Sequence, residues 1–346
     1  MNEKISPKIR MKKAILTTVL PMLIMVGLTG GVYAFSLTAP SSLDYQASPA
    51  NTTLQSYVAA DCAVMDTYMT VILTDERDGK TYRIRKMPDG RCWMIDNLAL
   101  ATTATITSAN TDIDTDVAGS FIALWNGLNG NPVQDAITRS VNGACAGLGG
   151  ITGTGAYLTC DGTSSATTGA NTNHHFIAFS NPSLTDNPYY NECTAGDSIN
   201  PNSLTGCGYL YNWYTATAGS GNYSKTSTNV NSSICPAGWN LPKGALASVE
   251  NEFGILNNAM STGNTTSSTT NTPATQANWR SKGPFEGALS GNYYSSFTNS
   301  GYYGYYWSSR ADSAANAYPF YFNYSSLSPG LYANVRNNGM AIRCVL

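Results

Sequence analysis

The chain has 346 residues and few charges, since Asp, Glu, Lys and Arg make up 12% of it, about half of the roughly 25% usual in globular proteins. Its formal net charge of -2 at pH 7 supplies no basic surface of the kind that binds nucleic acid, so we expect no nucleic-acid partner. Uncharged polar residues and tyrosine take the surface positions instead, a composition that suits an extracellular protein.

Residues 1–34 predict an export signal. Five basic residues precede an uncharged run from Ala14 to Pro40, and the apolar stretch ends in Val32-Tyr33-Ala34, a pattern that signal peptidases cleave. We expect cleavage after Ala34; the alternative is an uncleaved helix that anchors the chain, since roughly 20 apolar residues span a bilayer. In either case we expect the remaining chain to face outward, secreted or held at the cell membrane, and to meet the membrane only through this segment.

Residues 35–61 are small and polar and contain Pro40 and Pro49, so we interpret them as a spacer before a folded domain at 62–346. Within that domain, residues 70–98 alternate apolar runs with turn signals. The signals are Asp78-Gly79 and Pro88-Asp89-Gly90. They predict three short strands in a meander.

Residues 102–203 are rich in Gly, Thr, Ala and Asn without a sustained period, so we interpret them as a loop-rich insertion. After them, "GYLYNWYTATAG" alternates aromatic and polar residues and predicts a strand that leads into a turn. The best helix signal follows at 245–260, where four apolar residues share one face: Leu246, Val249, Phe253 and Leu256. Residues 261–278 are polar and of low complexity and are predicted to be an exposed flexible loop that buries nothing.

Eight cysteines indicate disulfide bonds in an oxidising compartment, because their number is even and no CxxC pair occurs. Sequence alone leaves the pairing open. One expected bond joins the loop before the helix to the last strand, a second closes the first meander, and two more rest only on proximity in sequence. The expected pairs, in that order, are Cys235–Cys344, Cys62–Cys92, Cys145–Cys160 and Cys193–Cys207.

No metal site and no cofactor are expected. The chain has only two histidines, the adjacent His174 and His175, which we interpret as a solvated loop pair. Acidic residues between Asp75 and Asp78 stand beside Gly79, but the carboxylate spacing and the distant Glu of a calcium loop are missing. Turn chemistry explains them better.

Aromatic strands are predicted near the C-terminus, at "YYWSSR", "AYPFYFNY" and "GMAIRCVL". We interpret Trp239 and Trp307 as buried rings. The tyrosines around Trp307 stand among Gly, Ser and Asn, the composition of binding loops, in which rigid rings supply contact area. The predicted ligand-binding residues are Tyr302, Tyr303, Tyr305, Tyr306 and Arg310. The alternative is a set of aromatic cross-strand pairs that stabilise a half-exposed sheet.

Five spaced motifs resemble the Fibrobacter succinogenes major paralogous domain, often shortened to FISUMP. They are "DGKTYRIRKMPDGRCWMIDNL" at 78–98, "GYLYNWYTA" at 208–216, "CPAGWNLP" at 235–242, "YWSSR" at 306–310 and "GMAIRCV" at 339–345. The WSS and terminal RCV patterns are also similar to the C-type-lectin-like group that includes formylglycine-generating sulfatase modifiers. The resemblance implies an α+β fold, a twisted antiparallel sheet with one or two helices and long disulfide-stapled loops.

We expect an exported, surface-displayed, non-catalytic module for binding or adhesion, with an extracellular glycan or protein as its ligand. The resemblance supplies no enzymatic activity, and formylglycine-generating enzymes use a reactive cysteine pair where this chain has only Cys344. Glu250, Glu252 and Glu286 are candidates for acid–base chemistry only by elimination. The alternatives are an extracellular enzyme of unknown reaction and a purely structural envelope protein.

Overall fold

The computed structural model describes most of the chain after residue 51. The described residues are 52–101, 104–113, 121–122, 125–126, 177–179, 209–218, 220, 227–244, 250–293, 297–299, 301–313, 315–330, 332–336 and 338–346. All of them belong to one compact unit, Ala39–Leu346. The parts of the predictions that lie outside these residues include the leader, most of the insertion at 102–203, the pairs Cys145–Cys160 and Cys193–Cys207, and His174 and His175.

The first sheet is the predicted antiparallel meander. Strands β1 (Thr70–Thr74), β2 (Thr81–Lys86) and β3 (Cys92–Met94) lie in the order β1-β2-β3. Gly79 and Gly90 occupy the two turns with φ of +74° and +87°, a conformation that glycine adopts without steric cost. The turn signals of the sequence are therefore confirmed.

The folded part begins earlier than the sequence indicates. Leu54 and Tyr57 are buried although they belong to the predicted spacer, and the Leu54 amide donates to the Thr74 carbonyl at 2.9 Å. Helix α1 (Ala59–Ala63) follows and carries the buried Cys62. The side chains of Leu54 and Tyr57 hold this polar segment against the core, because burying each of them removes apolar surface from water.

The core also extends into the segment that composition predicts to be a loop-rich insertion. Ile106, Phe121 and Trp125 are buried, and the Trp125 indole nitrogen donates to the Ala104 carbonyl at 2.8 Å. Strand β4 (Ile177–Phe179) belongs to the same segment.

The alternating aromatic stretch forms a strand and a helical turn. Strand β5 (Tyr209–Tyr211) pairs antiparallel with β4 and continues into α2 (Trp213–Ala216). The Asn212 side chain caps α2 by accepting a hydrogen bond from the Thr215 amide at 2.9 Å. The predicted strand is confirmed, and the predicted turn is one turn of helix.

Helix α3 (Glu252–Thr262) corresponds to the predicted helix. It begins after Asn251, whose side chain caps the first turn, and ends at Gly263, which has φ of +74°. Phe253 and Leu256 are buried as the apolar pattern predicts. Residues 245–249, where the predicted helix begins, lie outside the described part of the chain.

Residues 261–278 correct the sequence prediction, because their last part forms helix α4 (Pro273–Trp279). Thr272 and Thr275 form a capping box, and Pro273 fills the first helical position, where its missing N–H costs nothing. The side-chain nitrogen of Asn257 donates to the Thr270 carbonyl at 3.0 Å, which holds the preceding loop. The low-complexity composition of this segment therefore does not reveal the helix, because helix capping depends on the residues at a few positions and not on overall composition.

The second sheet is built from the C-terminal strands. A short hairpin of β6 (Asn292–Tyr293) and β7 (Phe297–Thr298) precedes it. Strand β9 (Asn316–Phe322) lies between β8 (Gly304–Ala311) on one side and two short strands on the other. These short strands are β10 (Leu327–Pro329) and β11 (Asn334–Val335). All pairs are antiparallel, so two of the three predicted C-terminal strands, at "YYWSSR" and "AYPFYFNY", are confirmed. The third, at "GMAIRCVL", is wrong, because residues 339–346 form isolated bridges only.

The last residues link the two sheets without forming a strand of their own. Ala341 bridges to Tyr306 of β8, and Val345 bridges to Trp93 of β3 and to Asn240. Cys344 in this segment forms the predicted disulfide with the loop before α3.

The disulfides Cys62–Cys92 and Cys235–Cys344 span 30 and 109 residues, and both confirm the predicted pairs. Trp239 and Trp307 are fully buried, as expected. The protein is therefore an α+β fold of antiparallel sheets and short helices around an aromatic core. Among the helices in the described residues, none has the length and apolar character that crossing a membrane requires.

Candidate functional site

Strands β8 and β9 present different aromatic residues on their two faces. The register pairs Tyr305 with Tyr321 and Tyr306 with Phe320, and opposite partners share a face. Tyr306 is fully buried, and its hydroxyl accepts a hydrogen bond from the Ala288 amide at 2.9 Å and donates to the Ala288 carbonyl at 3.2 Å. Tyr306, which the sequence assigns to ligand binding, is therefore a core residue on the wrong face for a ligand.

Four tyrosine rings form a continuous set on the other face: Tyr303, Tyr305, Tyr321 and Tyr332, the tyrosine ladder. Ring centroids are 5.3 Å apart between Tyr303 and Tyr305, 5.7 Å between Tyr305 and Tyr321, and 6.0 Å between Tyr303 and Tyr321, so these three rings form a triangle. Tyr332 joins the set through Tyr321, at 6.3 Å. These separations lie in the range of favourable aromatic contacts. The first three rings are half-buried and Tyr332 is 65% exposed, so the ladder forms a partly accessible surface on β8, β9 and the segments beside them.

The main chain below the ladder is held in place by the preceding hairpin. The Asn292 side-chain oxygen accepts hydrogen bonds from the Thr298 hydroxyl and the Asn299 side-chain nitrogen, both at 2.9 Å. The Asn299 carbonyl in turn accepts from the amides of Tyr302 and Tyr303, both at 3.0 Å. These hydrogen bonds hold Asn299, Tyr302 and Tyr303 in place in the absence of a ligand, which reduces the entropy lost on binding.

Tyr302 lies beside the ladder and is 67% exposed. It is the most exposed of the described residues predicted to bind a ligand. Tyr303 and Tyr305 belong to the ladder itself. The structure therefore brings two of the five predicted ligand-binding residues into contact and places Tyr302 next to them in the chain.

Two tyrosines of the ladder have raised pKa values. Burial raises the pKa of Tyr305 to about 12, and the nearby phenols of Tyr303 and Tyr321 add to the effect. Burial also raises the pKa of Tyr321. Tyr305 and Tyr321 therefore offer neutral hydroxyl groups and no phenolate nucleophile near neutral pH.

Arg310 is not a neighbour of the ladder. It lies five residues after Tyr305 on β8, which at a rise of about 3.3 Å per residue places it roughly 15 Å away. Its main chain bridges to Asn229, and its charge acts on Tyr318, whose hydroxyl donates to Asp312 at 2.7 Å. Arg310, which the sequence assigns to ligand binding, therefore lies away from the ladder, because an extended strand separates it from Tyr305.

Sequence analysis does not find Tyr321 and Tyr332. The signal for Tyr321 is present in "AYPFYFNY", whose alternation places one set of rings on each face, but only the register to β8 shows which set joins Tyr305. A further exposed ring, Tyr324, packs against Arg280, whose guanidinium carbon lies 5.0 Å from the ring centroid.

Two of the three acidic residues considered for acid–base chemistry, Glu252 and Glu286, take part in ion pairs, and Glu250 accepts a hydrogen bond from the Asn229 side chain at 3.3 Å. The Glu286 carboxylate accepts hydrogen bonds from the guanidinium groups of Arg83 and Arg85, both at 2.7 Å. Burial alone would raise the pKa of Glu286, but the two guanidinium groups outweigh it and hold the pKa below its usual value. Glu252 lies 2.6 Å from Arg91, and burial raises the pKa of Glu252 despite that partner. These pairs join the first sheet to the segments around α3 and α4.

Among the described residues, no three His, Cys, Asp or Glu side chains are grouped so that they could hold a metal ion. Comparison with known proteins produced no match, whether to a family model, to a curated protein or to a solved structure. The tyrosine ladder is therefore the feature on which a functional interpretation can be built.

Proposed function

We propose that the protein is an exported, surface-displayed module for binding or adhesion, without catalytic activity, and that it holds an extracellular glycan or protein on the tyrosine ladder. The ladder is the observation that carries this proposal. Tyrosine offers a large rigid contact area at a low cost in conformational entropy, and its hydroxyl adds a polar group. Four such rings in contact provide a ready-made surface for a ligand.

Stabilisation of the sheet alone does not account for the whole set. Tyr305 and Tyr321 are direct cross-strand partners and stabilise the pairing of β8 and β9. Tyr332 lies outside the strands, between β10 and β11, and Tyr302 precedes β8; both leave about two thirds of their surface in water. Exposed rings grouped in this way are typical of interaction surfaces.

Export and family membership form part of the proposal. The leader pattern at residues 1–34 and the disulfide bonds both favour an oxidising compartment outside the cytoplasm. The order of the FISUMP-like motifs, together with the meander and the bond between Cys235 and Cys344, supports a C-type-lectin-like version of the α+β fold. Protease treatment of intact bacteria that express the full chain tests the topology: we expect the body after residue 60 to be cut, and a protected body would contradict export.

The binding function is tested with glycan and protein arrays probed with the full-length chain in a mild detergent, beside a panel of hydrolase substrates. We expect retention of one ligand class without turnover. Retention should be lost in the double variant Tyr303→Ala/Tyr305→Ala and kept in Arg310→Gln, a control on the same strand but away from the ladder. Turnover of the retained ligand, or retention that ignores the double variant, would contradict the proposal.

A further inference from the structure

We infer that four side chains, Asp89, Arg91, Lys243 and Glu252, form a pH-sensitive junction between the first sheet and helix α3, which binds a proton and stabilises the folded protein when the surroundings become mildly acidic. These side chains, the turn–helix cluster, lie apart from the tyrosine ladder, and the inference does not depend on the proposed binding function. Three properties of the cluster support it: its position between two elements, its balance of charges, and the burial of its carboxyl groups.

The cluster joins the turn between β2 and β3 to the first residue of α3. Asp89 lies in that turn, where its carboxyl group accepts hydrogen bonds from the Arg91 amide at 3.2 Å and from the Trp93 indole nitrogen at 3.0 Å. Glu252 begins α3, and its carboxyl group lies 2.6 Å from the Arg91 guanidinium and accepts from the Lys243 amide at 2.8 Å. The guanidinium of Arg91 thus connects the turn to the helix.

The start of α3 also contacts the second sheet. The Asn251 side-chain nitrogen donates to the Pro329 carbonyl of β10 at 2.6 Å. The Phe253 ring stacks on Phe320 of β9, with centroids 4.7 Å apart, and packs against Trp93 of β3 at 5.6 Å. The cluster therefore lies where α3 meets both sheets, so a change in its protonation alters the stability of the packed core and not that of one exposed turn.

The charges of the cluster favour the uptake of a proton. Among the described residues, the Arg91 guanidinium is the one cation at ion-pair distance from either carboxyl group, and the exposed Lys243 acts on Glu252 from further away. The charge on Glu252 opposes the ionisation of Asp89. Burying charges costs free energy that one shared partner offsets only in part. A proton on the cluster removes one buried charge and the repulsion between the two carboxylates.

Both carboxyl groups respond in the same direction. Burial raises the pKa of Asp89 to about 6, although hydrogen bonds from Trp93 and Arg91 oppose the rise, and burial also raises the pKa of Glu252. A carboxyl group with a higher pKa in the folded protein than in the unfolded chain binds its proton more tightly in the folded protein. The stabilising contribution of Asp89 is therefore complete below about pH 4 and is lost as the pH rises through about 6.

The test is urea unfolding of the full-length chain in a mild detergent, with the disulfides intact, from about pH 5 to about pH 8. Wild type is compared with Asp89→Asn, which keeps a side-chain carbonyl as acceptor and has no titrating proton. We expect the ratio of the folding equilibrium constants, wild type over variant, to rise roughly tenfold from the alkaline to the acidic end of this range. The lowered pKa of Glu286 has the opposite effect on stability, but only in more acidic surroundings.

Two further variants assign the effect to the cluster. Asp78→Asn is the matched control, because Asp78 precedes Gly79 in the other turn of the meander as Asp89 precedes Gly90, and both glycines have positive φ. This variant should keep the wild-type rise in stability toward acidic pH. Glu252→Gln removes the opposing charge and leaves Arg91 to Asp89, so it should move the transition of Asp89 to lower pH.

A direct titration of the wild type does not depend on any variant being folded. Carbon NMR of the Asp89 side-chain carboxyl group should give a midpoint of about 6. A midpoint near about 3.9, the ordinary value for aspartate, would overturn the inference. So would a ratio of folding constants that stays level or falls toward acidic pH, or a transition of Asp89 that does not move in Glu252→Gln.

Discussion

The two faces of the β8–β9 pair place tyrosine side chains in different environments. On the inner face, Tyr306 is fully buried between Phe320 and Phe322, with ring centroids 6.1 and 6.0 Å away. On the outer face, Tyr305 and Tyr321 are half-exposed members of the ladder. One residue along the strand separates the two environments, because successive side chains point to opposite faces. The composition of a segment therefore does not predict whether a tyrosine is buried. Its position in the alternation of side chains along the strand does, once the core-facing side is known.

Trp307 marks the limit of the outer face and gives the largest expected effect. It follows Tyr305 by two residues and shares its face, yet it is fully buried, and its indole nitrogen donates to the Tyr211 carbonyl at 2.7 Å. Trp307→Ala should lower the free energy of unfolding by about 3 to 5 kcal/mol, because it leaves a cavity in the core. Urea titration measures this loss. A cost as small as that of a surface substitution would show that the face stays open along the whole strand.

Tyr306→Phe tests the inner face through a single hydroxyl group. The substitution removes the acceptor of the buried Ala288 amide and keeps the ring. We expect a loss of about 1 to 3 kcal/mol in the free energy of unfolding, the usual cost of a buried group left without its hydrogen bond. Tyr305→Phe is the matched outer-face control and should cost no more than about 0.5 kcal/mol. Equal losses in the two variants would contradict the division into two faces.

Local signals explain which parts of the fold the sequence could predict. The meander depends on turns at Gly79 and Gly90, and a turn is specified by a few adjacent residues. The burial of Phe253 and Leu256 follows from helical spacing in the same way. Helix α4 shows the opposite case: Thr272 and Pro273 are helix-start signals, but the polar composition around them led to a loop prediction.

The site could be predicted only in part, because it depends on contacts between distant segments. The sequence indicates a tyrosine surface, and Tyr303 and Tyr305 belong to it. The wrong assignment of Tyr306 and the omission of Tyr321 have one cause: neither the face toward the core nor the register to β9 is visible in one strand. Arg310 is near the tyrosines in sequence, but an extended strand advances about 3.3 Å per residue and places it far from Tyr305 in space.

Alkaline pH provides a smaller probe of the outer face. Tyr305 has a pKa raised from 10.0 to about 12, mainly by burial, so the folded protein holds this proton more tightly than the unfolded chain does. Its contribution to stability is therefore complete below about pH 10 and is lost as the pH rises toward about 12. Tyr305→Phe should remove this part of the alkaline loss, which denaturant titrations at several pH values can measure. An identical pH dependence in wild type and variant would mean that Tyr305 is as solvated in the folded protein as in the unfolded chain.

Tyr303→Ala has the smallest expected effect on stability, and it tests most directly whether the ladder binds a ligand. Tyr303 is half-buried and packs on Tyr305 at 5.3 Å, so its truncation should cost only about 0.5 kcal/mol of unfolding free energy, as is usual for surface changes. Binding should change far more, by roughly tenfold for the loss of one hot-spot ring, because a ligand covers the ring that water covers in the free protein. Thermal melting and ligand titration on the same preparation measure both quantities. If Tyr302, Tyr303 and Tyr305 each proved as destabilising as Trp307 when truncated, with the affinity of the folded fraction unchanged, the outer face would be a second core surface and the difference between the two faces would disappear.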